Sequence, residues 1–85
     1  MGDLLRRMVV KMPVSQTIRV LMIKEQLAKG KVLNTKATAK EFDVSDRTIL
    51  RDINELRAFY AEQRVKGNLY QDIIYDKNKQ GYVLD

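Results

Sequence analysis

Phe42-Asp-Val-Ser-Asp-Arg-Thr-Ile-Leu-Arg-Asp-Ile-Asn-Glu-Leu56 is the stretch on which the reading of this chain turns. Ser45 is a good N-cap residue, and Asp46 places a carboxylate in the first turn, where the helix dipole favours it. No Gly or Pro interrupts the run to Tyr60, so a helix is expected to start at about Asp46 and to continue to about Arg64. At roughly 100° per residue, Ile49, Ile53, Leu56 and Tyr60 fall in one sector, with Phe59 at its edge. That sector is assigned to a core. Arg47, Thr48, Arg51, Asn54 and Glu55 lie on the far side, the first three crowded into two turns.

A solvated charged face is the ordinary fate of such a helix, but the residues ahead of it point elsewhere. Asn34-Thr-Lys-Ala-Thr-Ala-Lys-Glu-Phe42 opens with a capping residue and supplies about two turns of helix-compatible sequence, with Ala39 and Phe42 available for packing. Asp43-Val-Ser45 then leaves room for a three-residue turn. A short helix, a tight turn and a capped helix with basic residues near its start form a helix-turn-helix arrangement, whose second helix enters the DNA major groove.

The run Thr38-Ala-Lys-Glu-Phe-Asp-Val-Ser-Asp-Arg-Thr-Ile-Leu-Arg-Asp-Ile-Asn-Glu-Leu-Arg57 resembles the helix-turn-helix of DeoR-type bacterial regulators and of the related WYL-domain regulators. Their pattern is an Ala-x-Glu-hydrophobic segment followed by Val-Ser-x-Arg-Thr-Ile-x-Arg-Asp-hydrophobic, and nearly every characteristic position is filled. Ile74-Tyr-Asp-Lys-Asn-Lys-Gln-Gly-Tyr-Val-Leu84 is similar to the wing hairpin of the WYL group, so the resemblance spans about residues 15 to 85. It implies a winged helix-turn-helix, mostly α with a small antiparallel β wing (an α+β fold), on a three-helix core preceded by an N-terminal arm or helix. In the resembled regulators an effector-sensing domain normally follows. No such segment lies within these residues, so no small-molecule effector is evident in this chain.

The wing is expected as two short strands, about Asp72 to Tyr75 and Gly81 to Leu84, around the polar loop Asp76-Lys-Asn-Lys-Gln80. A small strand at Lys31-Val-Leu33, after a helix stop at Gly30, is expected to join that sheet. Between helix and wing, Lys66-Gly-Asn68 reads as a break with a positive φ at Gly67 or Asn68, and Leu69 and Tyr70 are assigned to anchor it.

Upstream, Ser15 to Lys29 carries apolar residues on two faces. Ile18, Leu21, Met22 and Ala28 form one sector, with Glu25 inside it, and Val20, Ile23 and Leu27 form another nearly opposite. A three-helix core covers one of these; the other needs the N-terminal arm, the wing region or a second copy of the protein. Residues 1–13 form that arm, ahead of a domain over 14–85. Asp3 suits the cap of a short helix over Leu4 to Val10, Met8-Val-Val10 equally suits an extended segment, and both packing on the domain and dimerisation fit.

The candidate contacts to double-stranded DNA are Lys36, Lys40, Ser45, Asp46, Arg47, Thr48, Arg51, Asn54, Lys77 and Lys79. Guanidinium forks at Arg47 and Arg51 suit phosphates or the O6/N7 edge of guanine. Thr48 offers a hydroxyl to phosphate or a methyl to thymine, and the helix start at Ser45 offers free amides to phosphate. Lys36 and Lys40 read as backbone clamps, Asn54 as a contact farther along the groove, and wing Lys77 and Lys79 as contacts to phosphate or the adjacent minor groove. Asp52 reads as the partner of a basic side chain, since a carboxylate near phosphates opposes binding unless it accepts from cytosine.

Composition narrows the alternatives. The 85 residues suit one small domain, and the absence of Cys and His leaves out disulfides and the usual zinc sites and fits a reducing cytoplasm. Sixteen Lys and Arg against eleven Asp and Glu, net +5, favour a polyanionic partner. Neither a membrane span nor a signal peptide is present. No paired carboxylates, glycine-rich phosphate loop or metal-ligand cluster appears, so neither an enzyme nor a cofactor is expected. The competing reading is a winged-helix module that binds protein instead of DNA.

Overall fold

A computed structural model describes residues 14–67 and 70–85. Three helices, α1 (Gln16–Ala28), α2 (Thr35–Phe42) and α3 (Asp46–Val65), are followed by strands β1 (Ile73–Asp76) and β2 (Gly81–Leu84). The expected arm over residues 1–13, and the expected anchor at Leu69, lie outside the described residues.

Each helix begins on a side-chain cap, two of them read from the sequence at Asn34 and Ser45 and a third at Ser15. Ser15 Oγ accepts from Ile18 N at 3.2 Å, Asn34 Oδ1 from Ala37 N at 3.0 Å, and Ser45 Oγ from Thr48 N at 3.2 Å. Between α2 and α3, Asp43 takes a left-handed conformation (φ 56°). Val44 N donates to Ala39 O at 2.9 Å, which closes the end of α2 and aims the chain into α3.

The core is the predicted sector of α3, Ile49, Ile53, Leu56 and Tyr60, packed against Ala39 and Phe42 of α2, Leu33, and Ile73 of β1. Burial pushes the Tyr60 hydroxyl above its ordinary pKa, because the neutral form suits its surroundings better than the phenolate. On α1, Ile23 and Leu27 are buried, and Val20 and Met22 pack against the core from either side. Ile18 and Leu21 remain outside, Leu21 being 55% exposed. Met22 therefore belongs with the core and not with the outer sector, because the buried stripe of α1 runs through positions 19, 23 and 27.

The first member of that stripe is Arg19. Its Nε donates to Asp52 Oδ2 and its Nη2 to Asp52 Oδ1 at 3.1 Å, a two-pronged ion pair joining α1 to α3. Asp52 is 0% and Arg19 7% exposed. The hydrogen bond to Asp52, with its charge, raises the Arg19 pKa against the opposing effect of burial. The reading of Asp52 as the partner of a basic side chain is borne out.

β1 and β2 form an antiparallel hairpin with Ile73 opposite Leu84 and Tyr75 opposite Tyr82. β1 starts and ends one residue later than expected, because Asp76 pairs with Gly81 while its Oδ1 accepts from Asn78 N at 2.9 Å and Lys79 N at 3.1 Å. The expected strand at 31–33 is reduced to a bridge at Leu33, whose N–H and C=O exchange bonds with Tyr82 at 2.8 and 2.9 Å. Asn34 already serves as the cap of α2, so the extended segment stops there. Gly81 permits this approach: a Cβ at that position would lie 2.6 Å from Val32 Cγ1 and 2.8 Å from Leu33 O.

The break after α3 holds at Gly67 (φ 75°), but Tyr70 is 86% exposed and anchors nothing. Arg64 ties the connection instead: its Nη1 donates to Gln71 O at 2.8 Å and lies 3.3 Å from Asp72 Oδ1. A guanidinium at the end of α3 reaches both groups, whereas an outward tyrosine meets no core surface.

Removing one member of the buried pair strands a charge. Asp52→Ala is expected to cost about 3–5 kcal/mol in urea unfolding, and the apolar double substitution Arg19→Met/Asp52→Leu to regain most of that loss.

Candidate nucleic-acid interface

The N-terminal half of α3 presents Arg47, Arg51 and Asn54 to solvent, on the side away from Ile49 and Ile53. One turn of helix separates the two arginines by about 6 Å along the axis. Neither makes an ion pair with any described residue, so both guanidinium forks keep all their donors. Thr48, by contrast, is half-buried, and its Oγ1 lies 3.0 Å from Ser45 Oγ. The two hydroxyls complete the cap together. The amides of Asp46 and Arg47 find no acceptor among the described residues and point out of the helix start.

Lys36 and Lys40 are exposed one turn apart on α2. With Asp43, Val44 and Asp46 they border a shallow groove of about 570 Å³ along the turn. Lys36, Lys40, Arg47 and Arg51 thus sit on adjoining elements at one end of the molecule, together with the carboxylates of Asp43 and Asp46. The mixture is cationic but not uniformly so.

The hairpin turn places Lys77 and Lys79 in solvent, its backbone held by Asp76. A second tether runs from α2: Asn34 Nδ2 donates to Gln80 O at 2.9 Å while its Oδ1 caps the helix. One side chain thereby fixes the wing turn against the start of the helix-turn-helix. Sequence reading assigned Asn34 only to the cap.

These parts compose a helix-turn-helix with a following wing, and residues 16–70, more than half of the 85, match the family described as the DeoR-like helix-turn-helix domain. The chain belongs to that family. No curated protein and no solved structure matches it. In this DeoR-like domain the match covers all three helices and ends ahead of the hairpin.

Two surface features of the DeoR-like domain escaped the sequence reading. Leu50 stands 40% exposed on the same side of α3 as the arginines, and Tyr75, opposite Tyr82, is 52% exposed on the hairpin. Leu50 carries a legible signal, since it falls outside the apolar sector of its own helix. Tyr75 carries none, because strand alternation alone puts it on the face that buries Ile73.

Where α1 meets α3, Val20, Leu21, Lys24, Glu55, Leu56 and Phe59 line a mainly apolar concavity of about 280 Å³. Lys24 Nζ lies over the Phe59 ring at 5.9 Å from its centroid.

Replacing Asn34 with Ala removes a cap and the wing tether together. A loss of about 1–2 kcal/mol is expected in thermal unfolding, with faster hydrogen exchange at the Leu33 and Tyr82 amides than at the α3 core.

Proposed function

We infer that this DeoR-like domain is a transcriptional regulator that recognises particular sequences of double-stranded DNA, with the N-terminal half of α3 in the major groove. The observation that carries the reading is the pair of uncommitted guanidinium groups, Arg47 and Arg51, on the exposed side of a helix whose opposite side is fixed in the core. In this pose the arginines reach guanine edges or phosphates, and Asn54 lies deeper along the groove. The free amides of Asp46 and Arg47 favour a phosphate at the helix start, and Ser45 and Thr48 hold that start in shape. Lys36 and Lys40 grip one stretch of backbone and Lys77 and Lys79 another, so the two clamps set register without reading sequence. The domain acts in this reading by binding, without catalysis and without a cofactor. We place it, as a bacterial or phage-type regulator, in the cytoplasm.

Two copies acting together suit this architecture. Ile18, Leu21 and Phe59 leave an apolar surface on α1 and the second half of α3. A two-fold dimer through that flank leaves both cationic faces free. Footprints are then expected to show paired half-sites with centres about 34 Å apart, or a multiple of that distance. A single unpaired half-site at concentrations where sedimentation finds a dimer would contradict the arrangement.

Fluorescence anisotropy of labelled genomic duplex fragments across a salt series tests recognition itself. A minority of fragments is expected to bind far more tightly than the rest, and Arg47→Ala/Arg51→Ala to lose at least about tenfold of that preference, as for two good base contacts. Uniform, steeply salt-dependent binding of every fragment indicates a general backbone binder. Absence of binding at low salt favours the protein-interaction module suggested by the apolar flank.

A further inference from the structure

Leu50 is the conspicuous misfit on the cationic side of α3. On a helical projection it lies about 60° to one side of Arg47 while Arg51 lies about 40° to the other, so all three share the solvent-facing arc. Its neighbours Ile49 and Ile53 are 0% and 1% exposed, whereas Leu50 contributes nothing to the buried core cluster. An isolated exposed leucine is ordinary on a protein surface. This one, however, has an aromatic companion brought from far along the chain.

Leu50 and Tyr75 both line a concavity of about 360 Å³ between the start of α3 and the hairpin, with Lys36, Asp46 and Tyr82 around it. Tyr75 is held there. Its ring meets the Tyr82 ring edge-on, centroids 5.2 Å apart, and Tyr82 is itself fixed through both backbone bonds to Leu33. The Asn34 to Gln80 bond closes the same corner. The result is a small apolar step on fixed backbone, with Lys36 beside it on α2 and Arg47 beside it on α3.

In the major groove, the apolar group that a base edge offers is the C5-methyl of thymine. An aliphatic side chain on the groove-facing arc matches it in chemistry, and the adjoining cations supply the attraction to flanking phosphates. We propose that Leu50, backed by Tyr75, packs on a thymine C5-methyl and makes that thymine a specified base in each half-site. The proposal rests on the DNA-binding reading above and adds to it the identity of one base. Arg47 and Arg51 remain the groups that read guanine or phosphate. Leu50 reads the base beside them, and Tyr75 acts as a positioning residue that keeps the leucine pressed toward the groove.

The test exchanges thymine for deoxyuridine, which removes the methyl and keeps base pairing. Starting from the tightest genomic fragment, each thymine in the footprint is replaced singly and binding is measured by anisotropy. The wild-type chain is expected to lose about three- to fivefold in affinity at one thymine per half-site, the effect of one buried methyl. Leu50→Ala is expected to bind the thymine and deoxyuridine duplexes alike, with unchanged helix content and unfolding midpoint because the side chain is outside the core. Tyr75→Ala is expected to reduce the discrimination partially. Indifference of the wild-type chain to every exchange overturns the proposal while leaving sequence-specific binding standing, and favours a protein segment as the occupant of the step. Full discrimination retained by Leu50→Ala overturns it equally, and absence of duplex binding by the wild-type chain overturns both this proposal and the reading beneath it.

Discussion

The two-pronged contact between Arg19 and Asp52 is the constraint on which the arrangement of this small domain depends. A buried carboxylate and a buried guanidinium are each costly to remove from water, and only mutual contact in good geometry compensates. The pair therefore fixes where α1 crosses α3, more sharply than apolar contact does. Isoleucine and leucine pack acceptably over a range of angles; a fork-shaped donor meets a carboxylate squarely in few. Asp52 is also the immediate neighbour of Arg51. With Asp52 committed inward to Arg19, Arg51 is turned outward, and core geometry and surface chemistry are set by adjacent residues of one helix turn.

A second level of order concerns the wing. A two-stranded hairpin alone is marginal in water, and this one gains its position from outside itself. Leu33 adds a bridge to Tyr82, Asn34 reaches Gln80, Ile73 enters the core, and Arg64 ties the connecting chain. Apart from Ile73, which belongs to β1, each tie comes from a helix end or a helix-flanking residue. The wing and the helix-turn-helix consequently behave as one body at the end where the lysines and arginines gather. For the proposed recognition of DNA that rigidity matters, because a base-reading side chain has to be placed within a fraction of an ångström. It also gives Tyr75 and Leu50 a fixed relation although twenty-five residues of chain separate them.

The surface is divided by chemistry into two flanks. Lys36 and Lys40 gather along the turn with Asp43 and Asp46, next to the start of α3 that carries Arg47 and Arg51; where α1 meets the middle of α3, Leu21, Leu56 and Phe59 gather. In the proposed mode of action, self-association through the α1 flank and DNA binding through the arginines use different surfaces. The carboxylates of Asp43 and Asp46 temper the positive charge along that turn.

By itself the sequence determined the helices of the helix-turn-helix, their caps and the core side of α3, because capping and a 3.6-residue period are local properties carried by Asn34, Ser45 and the spacing of Ile49, Ile53, Leu56 and Tyr60. It also determined that a polar-tipped hairpin follows. Tertiary structure decided everything that depends on which distant residues meet. It chose Arg19 as the partner of Asp52, since periodicity marks a position as inward but does not name its neighbour. It cut the strand at 31–33 to a bridge, because the cap at Asn34 and the close approach of Gly81 left no length for more. It left Tyr70 in solvent and gave the anchoring to Arg64, and it set Tyr75 beside Leu50 through strand register and the fixed corner at Asn34. Local rules act over a few residues, whereas these contacts span from seven positions, Arg64 to Gln71, to forty-nine, Leu33 to Tyr82, and exist only after the chain has folded.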